Sequence, residues 1–173
     1  MSVDLFTAGS ARFSPCRRWR YALWRRWGEG ALANFLLLNP STADEHDNDP
    51  TVERCQRRAA TLGYDGLVVT NLFAWRSTDP SALYTTADPV GPDNDTAILE
   101  AASDAALVVC GWGNHGQLSG RGGAVLAMLR QAGVRPYCLA MTGAGEPQHP
   151  LYLPYSLVPQ SIDGAACVST GAD

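Results

Sequence analysis

Two asparagines and a histidine, each placed at or after the end of an apolar run, are the residues of this chain best suited to act together on a ligand. They are Asn39 in LLLNPSTADEHDNDP (36–50), Asn71 in VVTNLFAWRSTDP (68–80) and His149 in GEPQHPLYLP (145–154). A carboxamide both donates and accepts, so Asn39 can hold a water molecule or read a polar substrate edge. Asn71 can pair with the edge of a nucleobase, as side-chain amides do. His149, in a loop flanked by proline, can donate to charge developing on a leaving group. Asp44 or Asp47, in the acidic stretch 44–49, could activate water as a general base. Trp75 and Arg76 follow Asn71 and could stack on a base or contact a phosphate, with Ser41 and Leu151 beside the first and third segments.

Each of these residues also has a structural explanation. The acidic loop can be an Asx turn followed by a helix cap, and Asp49 before Pro50 is read as that cap. Asn71 can be a satisfied core amide, and Trp75 and Arg76 can cover the core. A lone histidine is more often structural than catalytic. His115, after GWGN, is a weaker candidate. GWGNHGQLSGRGG fits neither dinucleotide nor Walker spacing and reads as a flexible loop near a ligand. Oxygen ligands in 44–49 would suit Mg²⁺ or Ca²⁺, but the spacing fits no metal loop closely. No metal and no cofactor is assigned.

For three distant segments to meet, the elements before them must end on one edge. ANFLLL (33–38), GLVVTNLFA (66–74), ALVVCGWG (106–113) and PYCLAMT (136–142) read as strands. Helices are expected over 49–64, within 88–105 after a turn, and over 121–133, where Gly133 stops the last. Strands alternating with helices imply a central four-stranded, mostly parallel sheet in a three-layer αβα sandwich with right-handed crossovers. Ligands of such sheets bind outside the carboxyl ends of the strands. Residues 1–12 are expected to be a mobile start. CRRWRYALWRRW (16–27) reads as a strand or hairpin leading into the first core strand. The single αβα domain spans 1–162, with a flexible tail over 163–173.

With 173 residues, 46% of them hydrophobic and 17% charged, the chain suits one globular core. The net charge of −4 argues against a broad basic coat. All 13 basic residues are arginine, which excludes a lysine nucleophile, a Schiff base and a P-loop. Arg17, Arg18, Arg20 and Arg25 cluster with tryptophans and could line up phosphates and bases. The alternative is a hairpin that packs its tryptophans on the sheet. No two of the 5 cysteines are closer than 28 residues, so no paired metal ligands exist. Cys110 and Cys138 read as small buried hydrophobes, and the odd count suggests a reducing cytoplasm. No apolar run is long enough to span a membrane.

RYALWRRW, LNPSTAD, DNDPT, NLFAWRSTDP, DPVGPDND and HPLYLP together resemble the DUF1643 family of bacterial proteins over nearly the whole chain. A more distant resemblance is to the uracil-DNA glycosylase superfamily. Asn39-Pro40-Ser41 is similar to a strand-end Asn-Pro-Gly motif whose asparagine positions the attacking water. Asn71 matches the strand-end asparagine that reads the base. His149-Pro150 matches a later His-Pro-Ser motif that stabilises the departing base, with Leu151 or Leu153 where a wedge leucine would stand. Ser41 replaces glycine, Leu151 replaces serine, and the stacking aromatic after the first motif is missing. The cysteine spacing cannot hold that superfamily's iron–sulfur cluster.

The resemblance implies a glycosylase-like fold, plus the N-terminal strand or hairpin, with a pocket that hydrolyses an N-glycosidic bond. The expected partner is a nucleobase-containing substrate: DNA, RNA or nucleotide, flipped out if it lies in a duplex. Two alternatives stand beside it. One is a non-catalytic nucleic-acid or nucleotide binder on the same fold. The other is a metal-dependent hydrolase or transferase using the 44–49 loop.

Overall fold

A computed structural model describes residues 8–163. Its centre is β3 (Leu32–Leu37), the strand formed by the apolar run before Asn39. It pairs in parallel with β4 (Gly66–Asn71) on one side and β5 (Leu107–Cys110) on the other. Alternate residues of β3 serve opposite faces. Ala33, Phe35 and Leu37 pack with Val52, Cys55 and Ala59 of α1 (Pro50–Thr61). Leu36 packs with Ile98 and Ala102 of α2 (Asn94–Asp104) and Val125 and Leu129 of α3 (Arg121–Gln131). Burial on both faces explains why these strands read as largely apolar runs rather than as alternation, with the buried Asn34 of β3 donating to Val68 O and Thr70 Oγ1 of β4.

The sheet is α/β and mixed, but larger than the four strands expected. It holds seven strands in the order β1-β2-β4-β3-β5-β6-β7. β6 (Pro136–Cys138) continues the parallel part, and β7 (Gln160–Ser161) closes that side antiparallel to it. On the other side, β2 (Arg20–Arg26) runs antiparallel to β4, and β1 (Ala8–Phe13) runs antiparallel to β2. The segment 8–12, expected to be mobile, is therefore an edge strand. Its sequence AGSARF is mostly exposed, with only Ala11 and Phe13 partly buried, so its place depends chiefly on main-chain pairing with β2. Residues 1–7 and 164–173, which include most of the expected tail and Cys167, lie outside the described residues.

The helices begin where the sequence marks them. Asp49 caps α1 by accepting from Val52 N at 2.8 Å, with Pro50 at the first helical position. Cys55 and Cys110 are fully buried, and burial pushes the Cys55 thiol up to about 12. Cys138 is buried as well. Among the described residues no helix is long and apolar enough to cross a membrane.

Candidate functional site

The order β4-β3-β5 makes the carboxyl end of β3 a switch point. The chain leaves β3 through α1 to reach β4 on one side, then returns through α2 to β5 on the other. The connections diverge there and leave a crevice, the usual place for a ligand in such sheets. A cavity of about 530 Å³ fills it. Leu38, Asn39 and Ser41 after β3 and Asp49 to Thr51 at the start of α1 form one wall. Trp112 to His115 after β5, with His149, Leu151 and Tyr152, form another, and Ser77, Thr78 and Pro80 complete the lining.

Pro40 ends the β3 ladder and turns Asn39 toward this space. Asn39 Nδ2 donates to Ser77 O at 2.9 Å and Pro40 O at 3.2 Å. Two carbonyls facing one end of the amide fix its orientation, because an oxygen there would meet only acceptors. Oδ1 is thereby left as the atom that Asn39 can offer a ligand. It is an acceptor, suited to a water molecule or to a substrate N–H or O–H.

His149 opens the short 3-10 turn Pro150–Tyr152. Its Nδ1 accepts from Leu151 N at 3.2 Å. Desolvation pushes its pKa down to about 4, against a smaller opposing effect from the Asp49 carboxylate. The ring is therefore neutral near pH 7, with its proton on Nε2, so it is a donor without net charge. Two arginines of α1 hold this loop in place. Arg54 and Arg58 both donate to Leu153 O, and Arg58 also reaches Pro154 O at 3.1 Å. Both guanidinium groups lie over the Tyr155 ring, at 4.4 and 4.9 Å. Gly111, at the end of β5, lets the loop approach. A Cβ there would lie 2.9 Å from Pro150 Cδ and 3.1 Å from Gln148 O.

Asn71 does not join them. It is 1% exposed, and its Oδ1 accepts from Arg20 Nη2 at 3.3 Å. Its own carbonyl accepts from Asn94 Nδ2 at 2.9 Å. It sits under the edge as a buried core amide whose oxygen is taken by Arg20. Asp44 and Asp47 also lie outside the lining. Asp44 Oδ1 accepts from His46 N and Asp47 N, an Asx turn that holds its carboxyl below the usual range. Asp49 is the carboxylate that lines the cavity. Trp75 packs edge-on against Trp19, with ring centroids 5.5 Å apart. Arg76 donates to Arg17 O and lies over Phe13. Neither faces the cavity.

The arginine strip divides in two. Arg20 and Arg25 are 2% and 4% exposed. Arg20 donates to Ala43 O at 3.0 Å, and Arg25 to Asp44 O at 2.6 Å and Asn48 Oδ1 at 2.9 Å. They fasten the loop after β3 and are not available to phosphates. Arg17 and Arg18 are exposed, and Arg17 is paired with Glu45.

Residues 20–151 match a family model described as Protein of unknown function (DUF1643). The chain belongs to the DUF1643 family. No curated protein and no solved structure matches it.

The match covers every element that shapes the cavity of this DUF1643 chain, apart from the tip at Tyr152. Besides His115, a weaker candidate from the sequence, some lining residues carry no sequence signal of their own. Trp112 is 1% exposed, and its Nε1 donates to Glu146 Oε2 at 2.7 Å. Gly116 is required beside it, since a Cβ there would stand 2.0 Å from Trp112 Cδ1. Asn114 Oδ1 accepts from Thr142 Oγ1 at 2.6 Å, and the Tyr84 hydroxyl lies 2.9 Å from His115 Nδ1. The signal that could have found them is topological. GWGNH follows the other strand of the switch point, so it must face the LNPS turn.

Proposed function

We propose that this cavity hydrolyses the N-glycosidic bond of a nucleobase-containing substrate, on a three-layer αβα frame of the uracil-DNA glycosylase kind. The observation that carries the reading is that Asn39 and His149, far apart in sequence, line one cavity at the switch point. In the proposed reaction Asn39 Oδ1 holds the water that attacks the sugar carbon. The carbon–nitrogen bond breaks and its electron pair moves onto the base. His149 Nε2–H donates to the base as that charge develops. A neutral donor suits this step, because it stabilises the departing base without first being neutralised by it. Asp49 takes the base role assigned from sequence to Asp44 or Asp47, receiving the water's proton, which finally returns to the departed base.

The metal-dependent alternative has less support. Among the described residues no three His, Cys, Asp or Glu side chains converge as ligands. Asp44 also spends an oxygen on its own loop. The binding-only alternative differs from the hydrolase in turnover alone.

The test is release of free base, followed by chromatography, from uracil, hypoxanthine and mismatched sites in DNA and from free nucleosides and nucleotides. Asn39→Ala and His149→Ala should each lower kcat far more than they weaken ground-state binding. Binding without release from any substrate would replace the hydrolase by the binder.

A further inference from the structure

We propose that the ligand of this cavity is a free, uncharged nucleoside, and not a phosphate-bearing nucleotide or a nucleic-acid strand. The inference rests on reading the cavity as a nucleobase site. It comes from where the positive charge of the molecule has gone. All 13 basic side chains are arginines, and none is among the residues that line the cavity. Five are paired with carboxylates. Arg20, Arg25, Arg26, Arg54, Arg58 and Arg76 donate to main-chain carbonyls. Arg18 is exposed on the hairpin turn, and Arg135 lines a separate cavity between α2, α3 and β5.

The charge that the cavity does have is negative. Asp49 lines it and is 8% exposed. The first turn of α1 would otherwise favour an anion, but the Asp49 carboxylate accepts from Val52 N there and its charge offsets the dipole. A phosphate brought here would lose water and meet a carboxylate with no cation to compensate, which is costly. The remaining lining suits an uncharged polar ligand. Asn39, Ser41, Asn114 and Thr78 offer amides and hydroxyls that could engage a sugar or a base edge, whereas the Ser77 hydroxyl is taken up by the main chain of Asp79. Tyr152, 83% exposed at the mouth, offers a ring face on which a base could stack. A volume of about 530 Å³ lies within the range usual for small-molecule sites.

The experiment is titration calorimetry of the full chain at low and physiological salt. The probes are uridine, adenosine, inosine and guanosine, their 5′-monophosphates, and a mixed-sequence single-stranded 12-mer. At least one nucleoside should bind ten-fold or more tightly than its own monophosphate and than the 12-mer. In Asp49→Asn, which keeps a good helix cap, the gap between nucleoside and monophosphate should narrow several-fold. A monophosphate or the 12-mer binding as well as the nucleosides would overturn the proposal, as would no nucleoside binding at all. Base release separates this from the hydrolase reading. Release from the 12-mer and not from nucleosides refutes the ligand class and keeps the reaction. Nucleoside binding without release keeps the ligand class and removes the reaction.

Discussion

The switch-point cavity and the β1–β2 hairpin carry comparable chemistry on paper and use it in opposite ways. Around the cavity, polar side chains satisfy part of their hydrogen-bonding capacity and leave the rest open. Asn39 spends its donors on two carbonyls and keeps Oδ1, and His149 spends Nδ1 and keeps Nε2–H. In the hairpin, Arg20 and Arg25 turn inward and donate through their Nη atoms to the carbonyls of residues 43–47 and to Asn71 Oδ1. The lesson is that residue type marks capacity, while the partner already satisfied decides whether the capacity is available. A buried guanidinium hydrogen-bonded to main chain is a fastener. The two regions are linked, because the loop that the hairpin arginines fasten begins at Asn39.

The largest effect should come from breaking the fastener. Arg20→Ala removes a fully buried side chain and leaves Ala43 O and Asn71 Oδ1 without their donor. An unsatisfied buried acceptor costs about 1–3 kcal/mol and the cavity adds to it. A loss of about 3–4 kcal/mol is expected in urea denaturation. A loss below about 1 kcal/mol would mean that Arg20 is as dispensable as a surface arginine, and the contrast between the regions would fail.

The pH dependence of stability sharpens the same contrast from the cavity side. The folded pKa of His149 is depressed, from 6.5 to about 4. The unfolded chain therefore binds the proton more readily than the folded one between those values. Stability is complete above about pH 6.5 and falls as pH drops toward 4. One pKa unit is worth about 1.4 kcal/mol, so this histidine should account for about 2–3 kcal/mol of that fall, allowing for its half-buried ring. Denaturation curves from pH 7.5 to 4.5 should show this slope in the wild type and a shallower one in His149→Gln. Equal slopes would mean that the imidazole titrates as if exposed.

Catalysis offers the next test. His149→Ala should lower base release on the order of 10²-fold, the scale for loss of one preorganised donor, about 2.7 kcal/mol. Asn39→Asp is the more discriminating change at the other residue. It sets a carboxylate oxygen against Ser77 O and Pro40 O, where only a donor fits. A stability loss of about 1–3 kcal/mol is expected, together with loss of activity. If Asn39→Asp is as stable as Asn39→Ala, the amide is not oriented as described.

The parts of the fold that the sequence announced are those fixed by local signals. β3 was expected over 33–38 and runs Leu32–Leu37; α1 starts at its Asp-Pro cap. The strand expected over 66–74 is regular only to Asn71: Leu72 and Phe73 still bond to Leu37 O and Leu38 O, and Ala74 turns away to Val90 O. β1 and β7 are not legible: β7 is two residues long, and β1, though six, is mostly small and exposed, so its alternation is faint. Asn39 and His149 could be placed together because each follows a strand ending on one edge. Asn71 met the same rule and still failed, because the rule gives the edge and not the direction of a side chain. The fate of Arg20 and Arg25 was equally hidden: their acceptors lie about twenty residues away, on a loop whose path only the tertiary fold defines.

The smallest effect should come from the part of the hairpin that remains exposed. Arg17 pairs with Glu45 at 2.8 Å, but both side chains are substantially exposed. Such a pair gains little in water and is screened by salt. The double change Arg17→Ala with Arg18→Ala should alter stability by no more than about 0.5 kcal/mol and leave base release from a nucleoside unchanged. Nucleic-acid binding is the sensitive readout. If the exposed arginines form no strip, the affinity of a 12-mer and its salt dependence should not change either. A fall in affinity with the salt slope flattened by about 0.7–0.9 per lost contact would show that these two side chains do hold phosphates. The hairpin would then combine two buried fasteners with two surface contacts, and a strand could reach the cavity from that side despite the missing charge within it.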